Sequence, residues 1–92
     1  MNWLITGGCG FIGTSLIAKL LLDKDVKHNI RILDNLSTGT RDDLSSVTPF
    51  LEVENIDNLS ASLEGVELVV GDILDEDLAY KVTKNIDVIV HL

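Results

Sequence analysis

From Thr6 to Gly13 the chain reads Thr-Gly-Gly-Cys-Gly-Phe-Ile-Gly, so half of these residues lack a side chain. Glycine permits positive φ and lets another group come close to the backbone. Two spacings coexist, Gly8-x-Gly10-x-x-Gly13 and Gly7-x-x-Gly10-x-x-Gly13, and they share Gly10 and Gly13. Taken alone, either spacing is weak evidence, since a plain turn can also call for glycines. Between a strand and a helix, however, it is a pattern that cradles a pyrophosphate. The companion feature is an acid about 20 residues on, at the end of the next strand, placed to accept hydrogen bonds from ribose hydroxyls. Asp34 fits it, 21 positions after Gly13 and directly after Ile30-Arg31-Ile32-Leu33. The chemistry these residues suit is binding: an anion held on backbone N–H groups and two hydroxyls held on a carboxylate.

The flanking elements must supply that context. Asn2-Trp3-Leu4-Ile5-Thr6 reads as a buried parallel strand before the glycines. After them, Ile12, Leu16 and Leu20, with Ile17 and Leu21 beside them, give a broad apolar helix face that Asp23-Lys24-Asp25 closes. The glycines therefore join a strand to a helix start, where unpaired N–H groups and the positive end of the helix dipole form an anion site. Asn35 to Thr40 is a polar turn, and Arg41 to Leu44 begins a short helix. Pro49 breaks any helix nearby, and Phe50 to Glu54 reads as extended or coiled. Ile56, Leu59 and Leu63 keep helical spacing up to Gly65. Val66 to Gly71 is a third strand, Asp75 to Lys84 a third clear helix and Ile86 to His91 a fourth strand. Strands alternating with helices predict a parallel α/β sheet.

Composition bounds the rest. The 92 residues amount to one domain or less, and 46% hydrophobic content with net charge −8 suits a packed core under an acidic surface. That acidity argues against nucleic acid and anionic membranes as partners. The apolar runs are too short to span a bilayer, and a strand beginning at Asn2 leaves no room for a secretory signal, so a cytoplasmic location is expected. Cys9, the single cysteine, stands where a small side chain is wanted and is not expected to be a reactive thiol.

Four stretches resemble the extended short-chain dehydrogenase/reductase family, in particular its NAD-dependent nucleotide-sugar epimerases and dehydratases: Thr6 to Gly13, Asp34 to Gly39, Gly71-Asp72-Ile73 and Asp87 to Leu92. The resemblance implies that residues 1–92 are the N-terminal part of an NAD-binding Rossmann domain. That is a partial Rossmann fold of four parallel strands in the order 3-2-1-4 with flanking helices, truncated after the fourth strand. It also implies roles by position. Gly7, Gly10 and Gly13 would shape the pyrophosphate turn, and Phe11 and Ile12 would offer it backbone N–H groups. Asp34 would hold the adenosine ribose, with Asn35, Ser37, Thr38 and Gly39 at the same end. Asp72 and Ile73 would flank the adenine. Each has a plainer reading: Ser37 and Thr38 as turn formers, Asp72 as the cap of the helix starting near Asp75. Ser45 to Ile56 is longer than the simplest members need and reads as a subgroup insertion.

By the same resemblance, the family's alanine-rich loop, Ser/Thr, Tyr-x-x-x-Lys pair and sugar-binding domain would all follow Leu92. NAD would take a hydride from a sugar carbon of a nucleotide sugar in a homodimeric parent enzyme, and these 92 residues alone would be inactive. The alternative is a non-catalytic dinucleotide-sensing or scaffold module on the same fold. Tyr80-x-x-x-Lys84 spells the catalytic pair but lies between the third and fourth strands, ahead of the family's position, and is read as surface helix. His91 is expected to be a packed or hydrogen-bonded core residue. Asp34 favours NAD(H) over NADP(H), since its charge lies where an additional phosphate would sit; Arg41 is the one nearby cation that could offset it.

Overall fold

A computed structural model describes residues 1–59 and 63–92. Among these, five strands form one parallel sheet: β1 (Asn2–Thr6), β2 (Asn29–Asp34), β3 (Leu51–Glu52), β4 (Val66–Val70) and β5 (Val88–His91), in the order β3-β4-β2-β1-β5. Helices α1 (Phe11–Leu21), α2 (Arg41–Ser45) and α3 (Glu76–Val82) alternate with them, and a single 3-10 turn covers Ile56–Asn58. The strand–helix alternation expected for a Rossmann-like sheet is present.

The expected order of four strands is the β4-β2-β1-β5 part of this sheet, and β3 corrects the count by adding a fifth at the edge. Its origin is local. After α2 the Val47 and Thr48 N–H groups fold back on the Leu44 carbonyl, and Pro49 follows. Phe50 then packs against the core, which delivers Leu51 and Glu52 to Glu67 and Leu68 of β4. The Val53 N–H completes the pairing on the Leu68 carbonyl at 2.8 Å. A two-residue strand carries no periodic signal in sequence.

Alternate residues of the strands feed two cores. Ile5, Ile30, Ile32 and Leu68 point to the face covered by Ile17 of α1 and Leu44 of α2. Leu4, Leu33 and Val69 point to the face covered by Val82 of α3, with Ile56 and Leu59 packed alongside. Helix α1 buries less than its apolar residues suggest: Gly13 and Ile17 are buried and Leu16 and Leu20 pack on the core, but Ile12 and Leu21 are exposed. Helix α3 is also shorter than the expected Asp75 to Lys84, with Asp75 as its N-cap and Thr83 as its C-cap. Of the helical spacing through Leu63, Ile56 and Leu59 are seen in and just after the 3-10 turn, while residues 60–62 lie outside the described residues.

One buried charge pair interrupts the apolar sheet. Arg31 of β2 stands beside Glu67 of β4 in register, with Nε donating to Oε1 at 2.5 Å. Arg31 Nη1 also donates to the Val82 and Lys84 carbonyls at 2.9 and 3.0 Å, which satisfies orphan acceptors at the end of α3.

Candidate functional site

The glycine turn sits at the carboxyl end of β1, and its four glycines answer to different demands. Gly7 has φ +73°, and its N–H donates to the Leu33 carbonyl at 2.8 Å. A Cβ at Gly8 would lie 2.7 Å from the Ile32 side chain, and one at Gly13 would lie 2.5 Å from Gly8 Cα and 2.7 Å from the Gly7 carbonyl oxygen. These three serve the fold. Gly10 is different: its φ of −75° suits any residue, and a Cβ there would meet only the Gly7 carbonyl oxygen at 3.4 Å, an ordinary contact. Nothing among the described residues excludes a Cβ at position 10.

The donors around Gly10 are arranged for an anion. The Cys9 N–H goes to Asp34, the Gly10 N–H to the Gly7 carbonyl and the Thr14 N–H to the Gly10 carbonyl, which closes the first turn of α1. Between them stand the N–H groups of Phe11, Ile12 and Gly13, the donors that a helix start leaves without intrahelical partners. Helices α2 and α3 deal with theirs by capping side chains, Thr40 and Asp75, and by acids in the first turn. Helix α1 has neither a side-chain cap nor a first-turn acid. Its dipole end is left for negative charge from elsewhere.

Asp34 ends β2 almost fully buried, and both carboxylate oxygens are already in use. Oδ2 accepts from the Cys9 N–H at 2.9 Å and Oδ1 from the Leu36 N–H at 2.8 Å, so the acid ties the loop after β2 to the glycine turn. A carboxylate has about four lone-pair sites, so each oxygen keeps acceptor capacity for a hydroxyl. The loop itself is held by Asn35 Oδ1, which accepts from the Ser37 N–H at 3.0 Å, and by Leu36 at φ +60°. Gly39 rests directly on the turn: a Cβ there would overlap the Cys9 carbonyl. Its expected place beside a ribose is thus also a packing position.

A cleft of about 220 Å³ opens where the strands end, and it brings together Gly7, Asp34, Asn35, Ser37, Thr38, Asp72 and Ile73. Gly10, Phe11 and Gly39 line a second hollow of about 510 Å³ that shares Thr38 with the first. Ile12 and Gly13 line neither; Ile12 projects outward and Gly13 is buried under the turn. Asp72 does not cap α3, since Asp75 does so; its Oδ1 instead accepts from the Leu74 N–H at 2.9 Å. A further hollow of about 310 Å³ beside the end of α3, between Arg31, Asp57, Lys81 and Lys84, contains none of the expected site residues.

Thr6 and His91 also line the cleft, beyond the residues that the sequence motifs point to. They meet across β1 and β5, Thr6 Oγ1 to His91 Nδ1 at 2.6 Å. His91 is hydrogen-bonded as expected but exposed rather than in the core, because β5 is an edge strand. The available signal was positional: in a parallel sheet the crevice lies outside the carboxyl ends of the strands, so the last residue of each strand is a candidate. Two further expectations meet plain geometry. Burial, with Asp34 adding to it, pushes the Cys9 thiol up to about 12, so it stays protonated at neutral pH. Tyr80 is exposed, with Lys84 Nζ over its ring at 5.4 Å from the centroid, and neither residue lines the cleft.

A parallel sheet with helices on both faces and a glycine turn between its first strand and first helix defines a Rossmann-like α/β domain. The family follows from comparison: residues 4–92 match the 3-beta hydroxysteroid dehydrogenase/isomerase family, and the chain belongs to it, among the extended short-chain dehydrogenase/reductases. The UDP-glucose 4-epimerase of Mycolicibacterium smegmatis is 38% identical over 78 residues, 85% of this chain and 20% of that protein. The dTDP-glucose 4,6-dehydratase of Bacillus anthracis, solved in complex with NAD, has a TM-score of 0.75 at 26% identity, covering 100% of this chain and 26% of its own. DesIV of Streptomyces venezuelae, a dTDP-glucose 4,6-dehydratase solved with NAD and TYD bound, has a TM-score of 0.71 at 30% identity, with 100% and 26% covered. The chain spans a fifth to about a quarter of these relatives. No helix among the described residues is long and apolar enough to cross a membrane.

Proposed function

We propose that this chain is the NAD-binding portion of a nucleotide-sugar epimerase or dehydratase. Gly10 carries the reading: it is a glycine that neither backbone conformation nor internal packing requires, beside uncapped N–H groups at the start of α1. A pyrophosphate lying against that turn accounts for both features. In this reading the N–H groups of Phe11, Ile12 and Gly13 bind the pyrophosphate, with Gly7 and Gly10 shaping its seat. Asp34 holds the adenosine ribose through its remaining lone pairs, and Asn35, Ser37, Thr38 and Gly39 line that end. Asp72 and Ile73 flank the adenine. Bound NAD+ supplies a hydride acceptor for a sugar carbon. The residues of this chain bind and orient it, and the proton-transfer and sugar-binding groups are assigned to other segments of a longer enzyme. The epimerase and dehydratase relatives, two of them solved with NAD, support the substrate class.

The test is calorimetric titration with NAD+ and NADP+. Asp34 places a negative charge at the ribose, so NAD+ is expected to bind at least roughly fivefold more tightly, the factor that two charges about 4 Å apart produce even in water. Asp34→Asn, which removes the charge at the cost of one of the two backbone N–H contacts, should narrow the gap. Tighter binding of NADP+ by the unmodified chain would overturn the reading.

A further inference from the structure

Arg41 is the only lysine or arginine between Arg31 and Lys81. It opens α2, two residues after Gly39 touches the glycine turn that Asp34 also holds through the Cys9 N–H. A guanidinium in such a place is suited to a phosphate carried on the ribose. Yet Arg41 lines neither hollow of the site. Its Nε donates to Glu52 Oε1 at 2.5 Å and its Nη2 to Oε2 at 3.1 Å, a bidentate pair with a carboxylate of β3. Glu52 is itself fixed, because β3 pairs in register with β4 and Val53 anchors the far side. Each partner steadies the charge of the other: Arg41 holds the Glu52 carboxyl below its usual range, and Glu52 holds Arg41 above its own.

We propose that Glu52 is a positioning residue for cofactor choice, which keeps the one cation next to the ribose loop paired at the sheet edge and so withholds it from a 2′-phosphate. This rests on the reading that the cleft holds NAD. The short edge strand, absent from the expected fold, thereby acquires a role at the site. Asp34 repels the additional phosphate, and Glu52 denies that phosphate its compensating partner. The pair is partly exposed, which bounds its influence: an exposed ion pair accounts for at most roughly a fivefold change in an equilibrium.

The experiment titrates NAD+ and NADP+ into the unmodified chain, Glu52→Gln, Glu52→Asp, Arg41→Ala and the Glu52→Gln/Arg41→Ala double variant, with folding checked by circular dichroism. Glu52→Gln should tighten NADP+ roughly threefold to fivefold with NAD+ unchanged. Glu52→Asp, which restores the charge, should return the ratio toward that of the unmodified chain. In the Arg41→Ala background the gain should vanish, which separates release of Arg41 from simple removal of a negative charge. An unchanged ratio in Glu52→Gln, or a gain that persists without Arg41, would overturn the proposal while leaving NAD binding intact. Failure of the unmodified chain to bind either dinucleotide would overturn the cofactor reading, and this proposal with it.

Discussion

A methyl group added at Gly13 would press on Gly8, and one at Gly39 on the Cys9 carbonyl, whereas at Gly10 it would make only a 3.4 Å contact with the Gly7 carbonyl oxygen. Sequence spacing cannot separate these cases, since it records only that a side chain is missing. The consequence is a sorting of phenotypes. Gly10→Ala should leave the melting temperature within a few degrees of the parent and weaken NAD+ binding by roughly tenfold or more, the equivalent of about 1.4 kcal/mol of overpacking against a ligand. Gly13→Ala and Gly39→Ala should instead lose about 1–3 kcal/mol of stability, read by urea denaturation. Loss of stability by all three alike would remove the special place of Gly10. Cys9 offers a second measurement. Its pKa rises from 9.0 in the unfolded chain to about 12 when folded. The unfolded state therefore releases its proton first, so the stability tied to the neutral thiol is complete below pH 9 and is lost as pH climbs toward 12. Between pH 8 and 10 the parent should lose on the order of 1 kcal/mol more than Cys9→Ala, after allowance for solvent screening.

Strands β1, β2 and β4 were legible because strands covered on both faces read as nearly unbroken apolar runs. The same logic hid Arg31. A charge amid Ile30, Ile32 and Leu33 looks like a surface residue, but Arg31 is buried, and its partners, Glu67 and the end of α3, lie 36 to 53 positions away. The end of α3 is hidden for a related reason: the run from Asp75 to Lys84 is helical in composition, yet the carbonyls of Val82 and Lys84 are taken by Arg31 and Asn85 turns the chain at φ +62°. Arg31→Ala should cost about 3–5 kcal/mol in urea unfolding, because it leaves Glu67 charged and buried without a partner. Arg31→Met combined with Glu67→Met should recover part of that loss, the Val82 and Lys84 carbonyls still lacking their donor. A small effect of the single change would mean that water reaches the pair.

The cleft exists only as a property of the whole sheet. Its walls come from the carboxyl ends of β1, β2, β4 and β5, segments spread from Thr6 to Leu92. The half built from neighbouring elements, glycine turn and Asp34, could be read in one pass along the chain. The half that closes it, Thr6 against His91, depends on β5 lying next to β1. That position of β1, between β2 and β5, also matters while the protein is being made. At about 5–20 residues per second, the ~80 residues between Thr6 and Val88 occupy a ribosome for roughly 4–16 s. For that interval the edge of Trp3-Leu4-Ile5-Thr6 that β5 later covers has no partner of its own, and a neighbouring nascent chain can pair with it. Of these five strands, the one that leads into the glycine turn is made first and waits longest for a neighbour.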